Sequence, residues 1–385
     1  MKNVNQISIG RFHHFHLARQ MEKRGLLEFI WTGYPLFKLR DEVGIPHSRI
    51  KSYPWVHSIN MANKRFGLIR SKRINRKIEW LACELIDKYV ASEITSSTVL
   101  IALSSMGLHA GIKTQQLGGY YICDRGSSHI RFQNELLIEE YARWGFSFEG
   151  INPQVIKKEE LEYEVADKIT VPSEFAKKSF MRMGVSEAKI SKIIYGANFD
   201  RFFKIADPPK NCFRVFWVGE LSIRKGFMYL YEAFQMLKHP RKELLVVGAV
   251  TPEIKKLLAS KSTANITFLH KVANKDLALL YSTSHVFVLP SIEEGMAMVQ
   301  GEALACGCPV IATTNTGSED LFKNGVEGYI IPIRSPNSIK ECLQQLVDNH
   351  LLQSQMSEAA TQRVKQINGW DRYGEEFSKL IASIN

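Results

Sequence analysis

Short runs of β-branched and aromatic residues alternate along this chain with longer stretches of helical periodicity, and this alternation restricts its fold more than any other feature. Ten runs predict strands: Val4–Ile9, Thr98–Ala102, Tyr120–Cys123, Lys168–Val171, Arg214–Val218, Leu244–Val247, Ile266–Leu269, Val286–Leu289, Val310–Ala312 and Tyr329–Ile331. Most of these runs are nearly continuously apolar, which is typical of parallel strands covered by helices on both faces. The alternation therefore predicts an α/β fold with doubly wound sheets.

A polar segment divides the pattern in two. Residues 204–211 include two adjacent prolines in a charged stretch, and the strand pattern restarts directly after them. A chain of 385 residues is also long for one α/β core. We therefore predict an N-terminal domain of residues 1–200 and a C-terminal domain of residues 201–369. The last stretch, 370–385, predicts an amphipathic helix that either ends the second domain or crosses back to brace the first.

Composition narrows the class of protein. Apolar residues make up 45% and charged residues 23% of the chain, which is globular composition. There is no run of eighteen apolar residues, and the first residues lack a secretory signal, so we expect a cytoplasmic protein. The net charge of +11 favours anionic partners. Nucleic acid is not the expected partner, because the basic residues are not interleaved with aromatic residues in a recognisable binding motif.

The most informative segment is 286–307, which predicts a strand, a short acidic loop and then a helix. In open α/β sheets ligands bind where strands end, and the amino end of a helix presents unpaired N–H groups that favour a phosphate. Two carboxylates flank this helix start: Glu294 in the loop, and Glu302 inside an otherwise apolar helix. A buried carboxylate needs hydrogen-bond partners, which a ribose diol would supply, as would a neighbouring backbone or a lysine.

A second turn, after the strand that ends at Val218, contains Gly219, Arg224 and Lys225. The two basic side chains stand where cations could neutralise a pyrophosphate. The same pattern is also found in ordinary solvated loops between a strand and a helix.

The sequence from Glu294 to Glu302, followed by Ala-Leu-Ala-Cys-Gly-Cys-Pro-Val-Ile-Ala-Thr, resembles the E-x7-E region of the family 4 glycosyltransferases, which have the GT-B fold. Residues 171–178, 192–202 and 316–329 resemble further segments of that family in the same order. The resemblance is specific from about residue 160 to the end and loose over residues 1–150. It implies two Rossmann-like domains that face each other across a cleft.

The resemblance also implies an activity: the retaining transfer of a sugar from a UDP- or GDP-linked donor, with no cofactor and no metal ion. Glu294 would be the catalytic contact to the donor sugar, and Glu302 would bind the ribose. The other implied donor-binding residues are Gly10, Gly219, Arg224, Lys225, Gly295, Met296, Ala297, Met298 and Val299. The family usually has an arginine at the position of Glu220, and we expect Arg224 to take over its role on the diphosphate. The chain has no D-x-D sequence, which fits a transferase that works without a metal ion.

In the first half, two segments resemble the family's acceptor side. His13 follows Gly10 at the start of a predicted helix and is expected to contact the acceptor or a phosphate. The loop after the strand 120–123 contains Asp124 and His129, of which His129 is our candidate for a catalytic histidine. The alternative is that this loop is structural, with an ion pair and a helix cap. Three histidines at 13, 14 and 16 lack an appropriately spaced carboxylate, so no metal site is expected.

Residues 64–85 form the last feature of note. They begin with the densest basic stretch of the chain and predict one basic amphipathic helix. Such a helix could lie on an anionic membrane surface, which would suit a lipid-linked acceptor, or it could be an ordinary surface helix. The sequence thus predicts a transferase that extends a glycan or a lipid-linked acceptor in surface polysaccharide synthesis, and the alternative is a sugar-nucleotide epimerase of the same fold.

Overall fold

Parallel strands form two separate sheets in the computed structural model, which describes residues 3–69, 71–196, 201–270, 272–367 and 369–384. The first sheet has the order β3-β2-β1-β4-β5-β6-β7 and the second has the order β10-β9-β8-β11-β12-β13. The strands of the first sheet are β1 Val4–Ser8, β2 Leu27–Thr32, β3 Ile50–Ser52, β4 Val99–Leu103, β5 Tyr120–Asp124, β6 Lys168–Val171 and β7 Ile190–Lys192. Those of the second are β8 Phe213–Val218, β9 Lys242–Val247, β10 Ile266–Leu269, β11 Val286–Leu289, β12 Val310–Thr313 and β13 Gly328–Ile331.

Helices connect the strands and cover the sheets. Those of the first half are α1 Phe12–Lys23, α2 Trp55–Phe66, α3 Lys72–Glu93, α4 Leu108–Gln116, α5 Ile130–Arg143, α6 Pro153–Val165 and α7 Glu174–Arg182. Those of the second half are α8 Phe227–Met236, α9 Pro252–Leu258, α10 Asn274–Ser282, α11 Met298–Ala305, α12 Ser318–Leu321, α13 Pro336–Asp348, α14 His350–Gln366 and α15 Trp370–Ser383. Parallel pairing requires such crossovers. The predicted α/β class with doubly wound sheets is confirmed.

All ten predicted strands are present, and the structure adds β2, β3 and β7. The strands β3 and β7 have three residues each and form the two edges of the first sheet. Edge strands this short carry too few residues for a periodic pattern, which explains why the sequence did not reveal them.

The predicted single helix over residues 64–85 is wrong. Gly67 adopts a left-handed conformation with φ 66° and ends α2, and the Ser71 hydroxyl accepts a hydrogen bond from the Ile74 amide at the start of α3. A left-handed glycine followed by a serine cap is a common way to stop one helix and start another. The basic stretch therefore spans a hairpin of two helices. Arg70 and the side chains of Lys64 and Arg65 lie outside the described residues.

The last helix returns to the first domain. The Nζ of Lys23 in α1 lies 2.8 Å from an Asp371 carboxylate oxygen, and Arg24 donates a hydrogen bond to the Asp371 carbonyl. The Trp370 ring stacks on His16, with ring centroids 3.9 Å apart and an interplanar angle of 7°. In space, α15 is thus part of the N-terminal domain, although it follows the C-terminal domain in sequence.

A second connection between the domains runs through α5. The Glu140 side chain is fully buried and accepts hydrogen bonds from the hydroxyl of Tyr229, at 2.7 Å, and from Nε of Arg334, at 2.6 Å. Next to it, Trp144 and Phe146 pack against the core of the second domain. A buried carboxylate held by donors from the opposite domain fixes one side of the interface.

Candidate active site

The strand order of the second sheet reverses between β8 and β11. In open α/β sheets ligands bind outside the carboxyl ends of the strands at such a reversal. There, β8 runs into the turn at Gly219, and β11 runs into residues 291–297, which we call the donor loop. The first sheet reverses between β1 and β4, and β1 runs into the turn at Gly10.

The donor loop is held by the segment that follows β12. The amide of Glu294 donates to the carbonyl of Asn315 at 2.9 Å, and the hydroxyl of Thr313 donates to the carbonyl of Ser291 at 2.6 Å. Asn315 also donates from its side chain to the carbonyl of Ile292. These bonds fix the backbone path of the loop independently of any ligand, as expected for a preorganised site.

The helix after the donor loop, α11, begins at Met298. Ala297 precedes it in an extended conformation with φ −86° and ψ 105°. Among the described residues, the amides of Met298 and Val299 donate no hydrogen bond. Free amides and the positive end of the helix dipole together make a position that favours a phosphate group.

Glu302 lies one turn further along α11 and lines a cavity of about 550 Å³ between the two domains. Met298 also lines this cavity. The remaining lining residues are Arg11, His16, Arg19, Asp41, Glu42, Val43, Arg201, Phe202 and Trp370. The Tyr281 hydroxyl donates to the Glu302 carboxylate at 3.3 Å, and burial raises the pKa of Glu302 to about 7. A buried acid with one hydrogen bond can accept further bonds, for example from hydroxyl groups.

Glu294 is nearly buried and outside the lining of this cavity. Its carboxylate forms an ion pair with Lys225 and lies 3.6 Å from the guanidinium of Arg224. Arg224 is held mainly by Glu293: its Nε donates to the carboxylate and to the carbonyl of that residue, each at 3.1 Å. The structure thus brings Glu294, Arg224 and Lys225 together, as the sequence indicated, with Arg224 engaged by acids of the donor loop. Glu220 is exposed.

The two domains touch at Gly295. A Cβ built on Gly295 would overlap the carbonyl oxygen of Gly126 in the N-terminal domain, and the hydroxyl of Ser173 donates to the Gly295 carbonyl at 2.5 Å. Only a residue without a side chain allows this approach of the two backbones. At Gly295 the donor loop is therefore in direct contact with the N-terminal domain.

Two other predicted glycines lie in turns next to the cleft. Gly219 has φ 148°, and its carbonyl oxygen lies against Gly248, which has no room for a Cβ. Gly10 is buried, and its carbonyl accepts a hydrogen bond from the Ser8 hydroxyl at 2.7 Å. Both lie in the turns at the strand reversals of their sheets.

His13 and Asp124 lie side by side although they are 111 residues apart in sequence. The Nε2 of His13 lies 2.6 Å from Asp124 Oδ2, and the Nε2 of His14 lies 3.0 Å from the same oxygen. The His13 ring also stacks on Tyr195, and it borders Gly126. The structure therefore places the two acceptor-side candidates together, directly behind the contact between Gly126 and Gly295.

Within the described part of the chain, the same cluster is one of two groups with the composition of a metal site. The ligand atoms of His13, His14 and Asp124 lie within 4.8 Å of one another. The carboxylate that the sequence analysis missed near the histidines thus comes from the end of β5. His13 forms a hydrogen bond with this carboxylate, and this interaction holds the pKa of Asp124 well below its usual range despite complete burial.

The other group, Glu84, Asp87 and His109, already contains a cation. The Nζ of Lys158 lies 2.7 Å from a carboxylate oxygen of Glu84 and 2.7 Å from one of Asp87. Lys158 pairs with both acids and Lys88 pairs with Glu84, so a metal ion is not needed to explain the burial of the two carboxylates.

His129, the candidate for a catalytic histidine, lies at the start of α5. Its Nδ1 accepts a hydrogen bond from the Arg131 amide and thus caps α5, and its ring packs against Tyr163 and Phe180. In the described residues its hydrogen bonds and ring contacts are all with the N-terminal domain. Burial lowers its pKa to about 4. The structural alternative, a helix cap in this loop, describes its position, with His129 rather than a serine as the cap.

Sequence reasoning missed Glu293. This acid precedes Glu294, is fully buried, and accepts hydrogen bonds from Ser127, Ser128 and Gln133 of the N-terminal domain. The signal was the doubled acid of the donor loop, of which the E-x7-E pattern uses only the second.

Comparisons with known proteins agree with this geometry. Residues 198–363 match the sequence model described as Glycosyl transferases group 1. The chain is 28% identical over 176 residues to the probable sucrose-phosphate synthase of Thermosipho melanesiensis, which covers 43% of this chain and 40% of that protein. It is 28% identical over 159 residues to the capsular polysaccharide biosynthesis glycosyltransferase CapM of Staphylococcus aureus, which covers 40% of this chain and 41% of that protein. These matches span less than two thirds of either relative.

The likeness in structure extends over the whole chain. The crystal structure of Anabaena HepE in complex with UDP superimposes with a TM-score of 0.70 and 15% sequence identity, and covers 100% of both chains. An epimerase is not favoured by these matches. The chain therefore has the GT-B fold, and residues 198–363 are similar to the glycosyl transferases group 1 family.

Proposed function

We propose that this protein is a retaining hexosyltransferase that moves a sugar from a UDP- or GDP-linked donor to a glycan or a lipid-linked acceptor without a metal ion. The observation that carries the proposal is the amino end of α11. Its free amides at Met298 and Val299 adjoin an interdomain cavity that also exposes the carboxylate of Glu302. A helix end that favours phosphate and an acid that can accept ribose hydroxyls match the two parts of a nucleoside diphosphate.

The donor would lie with its diphosphate at the start of α11 and its ribose against Glu302. Lys225 of the second domain pairs with Glu294 of the donor loop. On donor binding the ammonium would shift part of its charge to the leaving phosphate and free Glu294 for the hydroxyls of the sugar. HepE, the GT-B protein described above, has been solved with UDP-glucose, which supports a nucleotide-sugar in a cleft of this shape.

In the reaction the bond between the sugar C1 and the donor phosphate oxygen breaks, and a bond from C1 to the acceptor oxygen forms on the same face. The acceptor hydroxyl gives its proton to the departing phosphate oxygen, so the products are the glycoside and the nucleoside diphosphate. Negative charge grows on the leaving group in the transition state. Fixed amides at Met298 and Val299 and the Lys225 ammonium would stabilise that charge without the help of a metal ion.

On the acceptor side, His13 and Asp124 are the residues that we place nearest the reacting hydroxyl. Asp124 holds the His13 ring by its hydrogen bond, and His13 borders the loop that meets the donor loop at Gly126. His13 would orient the hydroxyl, while the proton goes to the donor phosphate as described. CapM, which has the same identity to this chain as the sucrose-phosphate synthase, acts in capsular polysaccharide biosynthesis, and this supports a surface polysaccharide as the product.

A peripheral membrane position fits such an acceptor. No helix within the described part of the chain is both long enough and apolar enough to cross a bilayer. The hairpin of α2 and α3 nevertheless exposes the apolar side chains of Trp55, Ile59, Leu68 and Ile74. Arg73, Arg76 and Lys77 line a cavity of about 600 Å³ on the same hairpin. Exposed apolar groups beside cations are the combination that binds anionic lipid surfaces.

The proposal is tested by a donor screen. The purified protein is incubated with UDP- and GDP-sugars and lipid-linked acceptors, and products are detected by mass spectrometry. We expect a mass increase of one hexose with one donor, and an anomeric configuration equal to that of the donor by NMR. The Glu294→Gln variant should give no product at unchanged thermal stability. Inversion at C1, or full turnover by Glu294→Gln, would refute the mechanism.

A further inference from the structure

The carboxylate of Glu293 is the most heavily bonded acid of the donor loop, and the proposed reaction does not use it. It is fully buried. Its Oε1 accepts from the hydroxyls of Ser127 and Ser128, at 2.6 and 2.7 Å, and from the Ser128 amide at 3.2 Å. Its Oε2 accepts from Gln133 at 2.7 Å and from Arg224 at 3.1 Å. All of these donors except Arg224 belong to the opposite domain.

This acid is charged although no water reaches it. Burial by itself would raise its pKa, but the positive charge of Arg224 and the hydrogen bonds from Ser127, Ser128 and Gln133 outweigh burial and lower the pKa to about 2. An ionised buried carboxylate depends on each of its donors, because a lost donor leaves charge unsolvated. The bonds to the N-terminal domain are therefore specific and costly to break.

Two of the donors, Ser127 and Ser128, come from one short segment, residues 125–128, which we call the closing loop, and Gln133 lies in the helix α5 that follows it. Arg125 fixes this loop from the other side: its guanidinium bonds to the carbonyl of Ser128, to Gln133 and to the carboxylate of Glu159. Gly126 is in the closing loop and contacts Gly295 of the donor loop. The position of the closing loop over the donor loop is thus set by Arg125 within its own domain and by Glu293 from the other.

Two other polar contacts between the domains are of a different kind. Glu140 binds Arg334 and Tyr229 and so attaches the far part of α5 to the second domain. Asp320 accepts hydrogen bonds from the Glu174 amide at the start of α7 and from Lys192 at the end of β7. Neither involves a side chain of the donor loop. Glu293 alone among these acids is adjacent to the acid that we place on the donor sugar.

We propose that Glu293 is a positioning residue that ties the closing loop to the donor loop and so sets the distance between the acceptor-side residues and the donor. This inference rests on the proposed transfer reaction. Glu293 does not touch the substrate. It acts through its hydrogen bonds to Ser127, Ser128 and Gln133. These bonds hold Gly126, and with it the His13 side of the cleft, in the closed position.

The test compares Glu293→Gln and Glu293→Ala with Glu139→Gln. Glu139 is an exposed acid that also reaches across the interface, to Arg334, and it is the matched control. Amide hydrogen exchange of the segment 125–130 is measured by mass spectrometry, and kcat and the donor KM are measured separately. Exchange in a hydrogen-bonded segment reports its local opening.

We expect exchange of residues 125–130 to rise at least tenfold in Glu293→Ala and to stay unchanged in Glu139→Gln. The kcat should fall at least thirtyfold in both Glu293 variants, with the donor KM within threefold, because the donor still binds to the second domain. Unchanged exchange in Glu293→Ala would overturn the holding role whatever the activity. Faster exchange with unchanged kcat would overturn the positioning role and leave the transfer reaction standing, whereas no transfer by the unaltered protein would reject the proposed function itself.

Discussion

Gly295 of the donor loop meets the backbone of Gly126 across the cleft with no side chain between them. We predict that Gly295→Ala prevents the full closure of the domains, because its methyl group would overlap the Gly126 carbonyl. Transfer should fall at least a hundredfold. Since the obstructing atoms belong to the other domain, nucleotide binding to the second domain should change less than fivefold. Activity and isothermal titration with UDP and GDP measure the two effects, and normal turnover would show that this contact is not needed.

Glu302 should make the stability of the unliganded protein depend on pH. Its pKa of about 7 lies above the ordinary value of 4.5. Between pH 4.5 and pH 7 the folded state therefore keeps a proton on Glu302 that the unfolded state has lost. Stability must therefore fall as pH rises from 4.5 to 7, by roughly 3 kcal/mol at most for a shift of this size. Glu302→Gln should lack this dependence and melt at a higher temperature than the unaltered protein at pH 8. The melting temperatures of the unaltered protein and of Glu302→Gln at pH 5 and pH 8 test this prediction.

The same residue gives a prediction about the nucleotide. If Glu302 accepts ribose hydroxyls, Glu302→Gln should weaken binding of UDP or GDP about tenfold and should weaken the 2′,3′-dideoxy nucleotide much less, because that nucleotide has no hydroxyl to lose. Isothermal titration with both nucleotides makes the comparison. Equal losses for the two would place the ribose elsewhere.

Lys225 should contribute to both binding and catalysis. It is the ion-pair partner of Glu294 and the cation that we place at the leaving phosphate. Lys225→Ala should raise the donor KM about tenfold and lower kcat more than tenfold, because the charge on the phosphate is larger in the transition state than in the donor. Steady-state kinetics with the donor found by the screen measures both values. Unchanged kinetics would remove Lys225 from the diphosphate site.

Asp124 should act through His13. Asp124→Asn keeps the size of the side chain but removes the charge that both imidazoles share. We predict a kcat at least tenfold lower with an unchanged donor KM, and a raised acceptor KM. His14→Gln serves as the comparison, because His14 is buried behind His13 and should affect activity less. Equal effects of the two variants would assign the cluster to stability alone.

The hairpin of α2 and α3 gives a prediction about membranes. Changing Arg73 and Arg76 to glutamate should reduce co-sedimentation with anionic vesicles at least fivefold and leave neutral vesicles unaffected. The matched control changes Lys255 and Lys256, which are exposed in the last turn of α9 on the second domain. Undiminished sedimentation of the Arg73 and Arg76 variant would exclude this surface.

The sequence indicated the second domain better than the first, and the reason is physical. Strands such as β8 and β11 are buried on both faces and read as apolar runs, and the acids of the donor loop lie within nine residues of each other. The acceptor side is assembled from distant parts of the chain: Asp124 meets His13 only because β5 and the start of α1 lie at the same edge of the first sheet. A motif confined to one segment is visible in sequence, whereas a cluster made by topology is not.

The expectation of one basic helix is wrong, whereas the catalytic role of His129 stays a prediction. His129 precedes Ile130 and caps α5, because a histidine nitrogen can accept the amide bond that a serine usually takes. The apolar periodicity that indicated the basic helix begins at Ile74, so it did not reveal the break at Gly67. Glu293 was passed over because its partners, Ser127, Ser128 and Gln133, are more than 150 residues away.

The return of α15 to the first domain determines where the chain can be divided. Lys23 and Arg24 lose their partner at Asp371, and His16 loses the Trp370 ring, in any fragment that stops at residue 200. Such a fragment would also lack Tyr373, Phe377 and Ile381, which are buried in the hydrophobic core of the first domain. An N-terminal half for separate expression must therefore carry residues 369–384, joined by a short linker. Conversely, a protease cut between α14 and α15 would sever one of the covalent links between the halves and leave both cores complete.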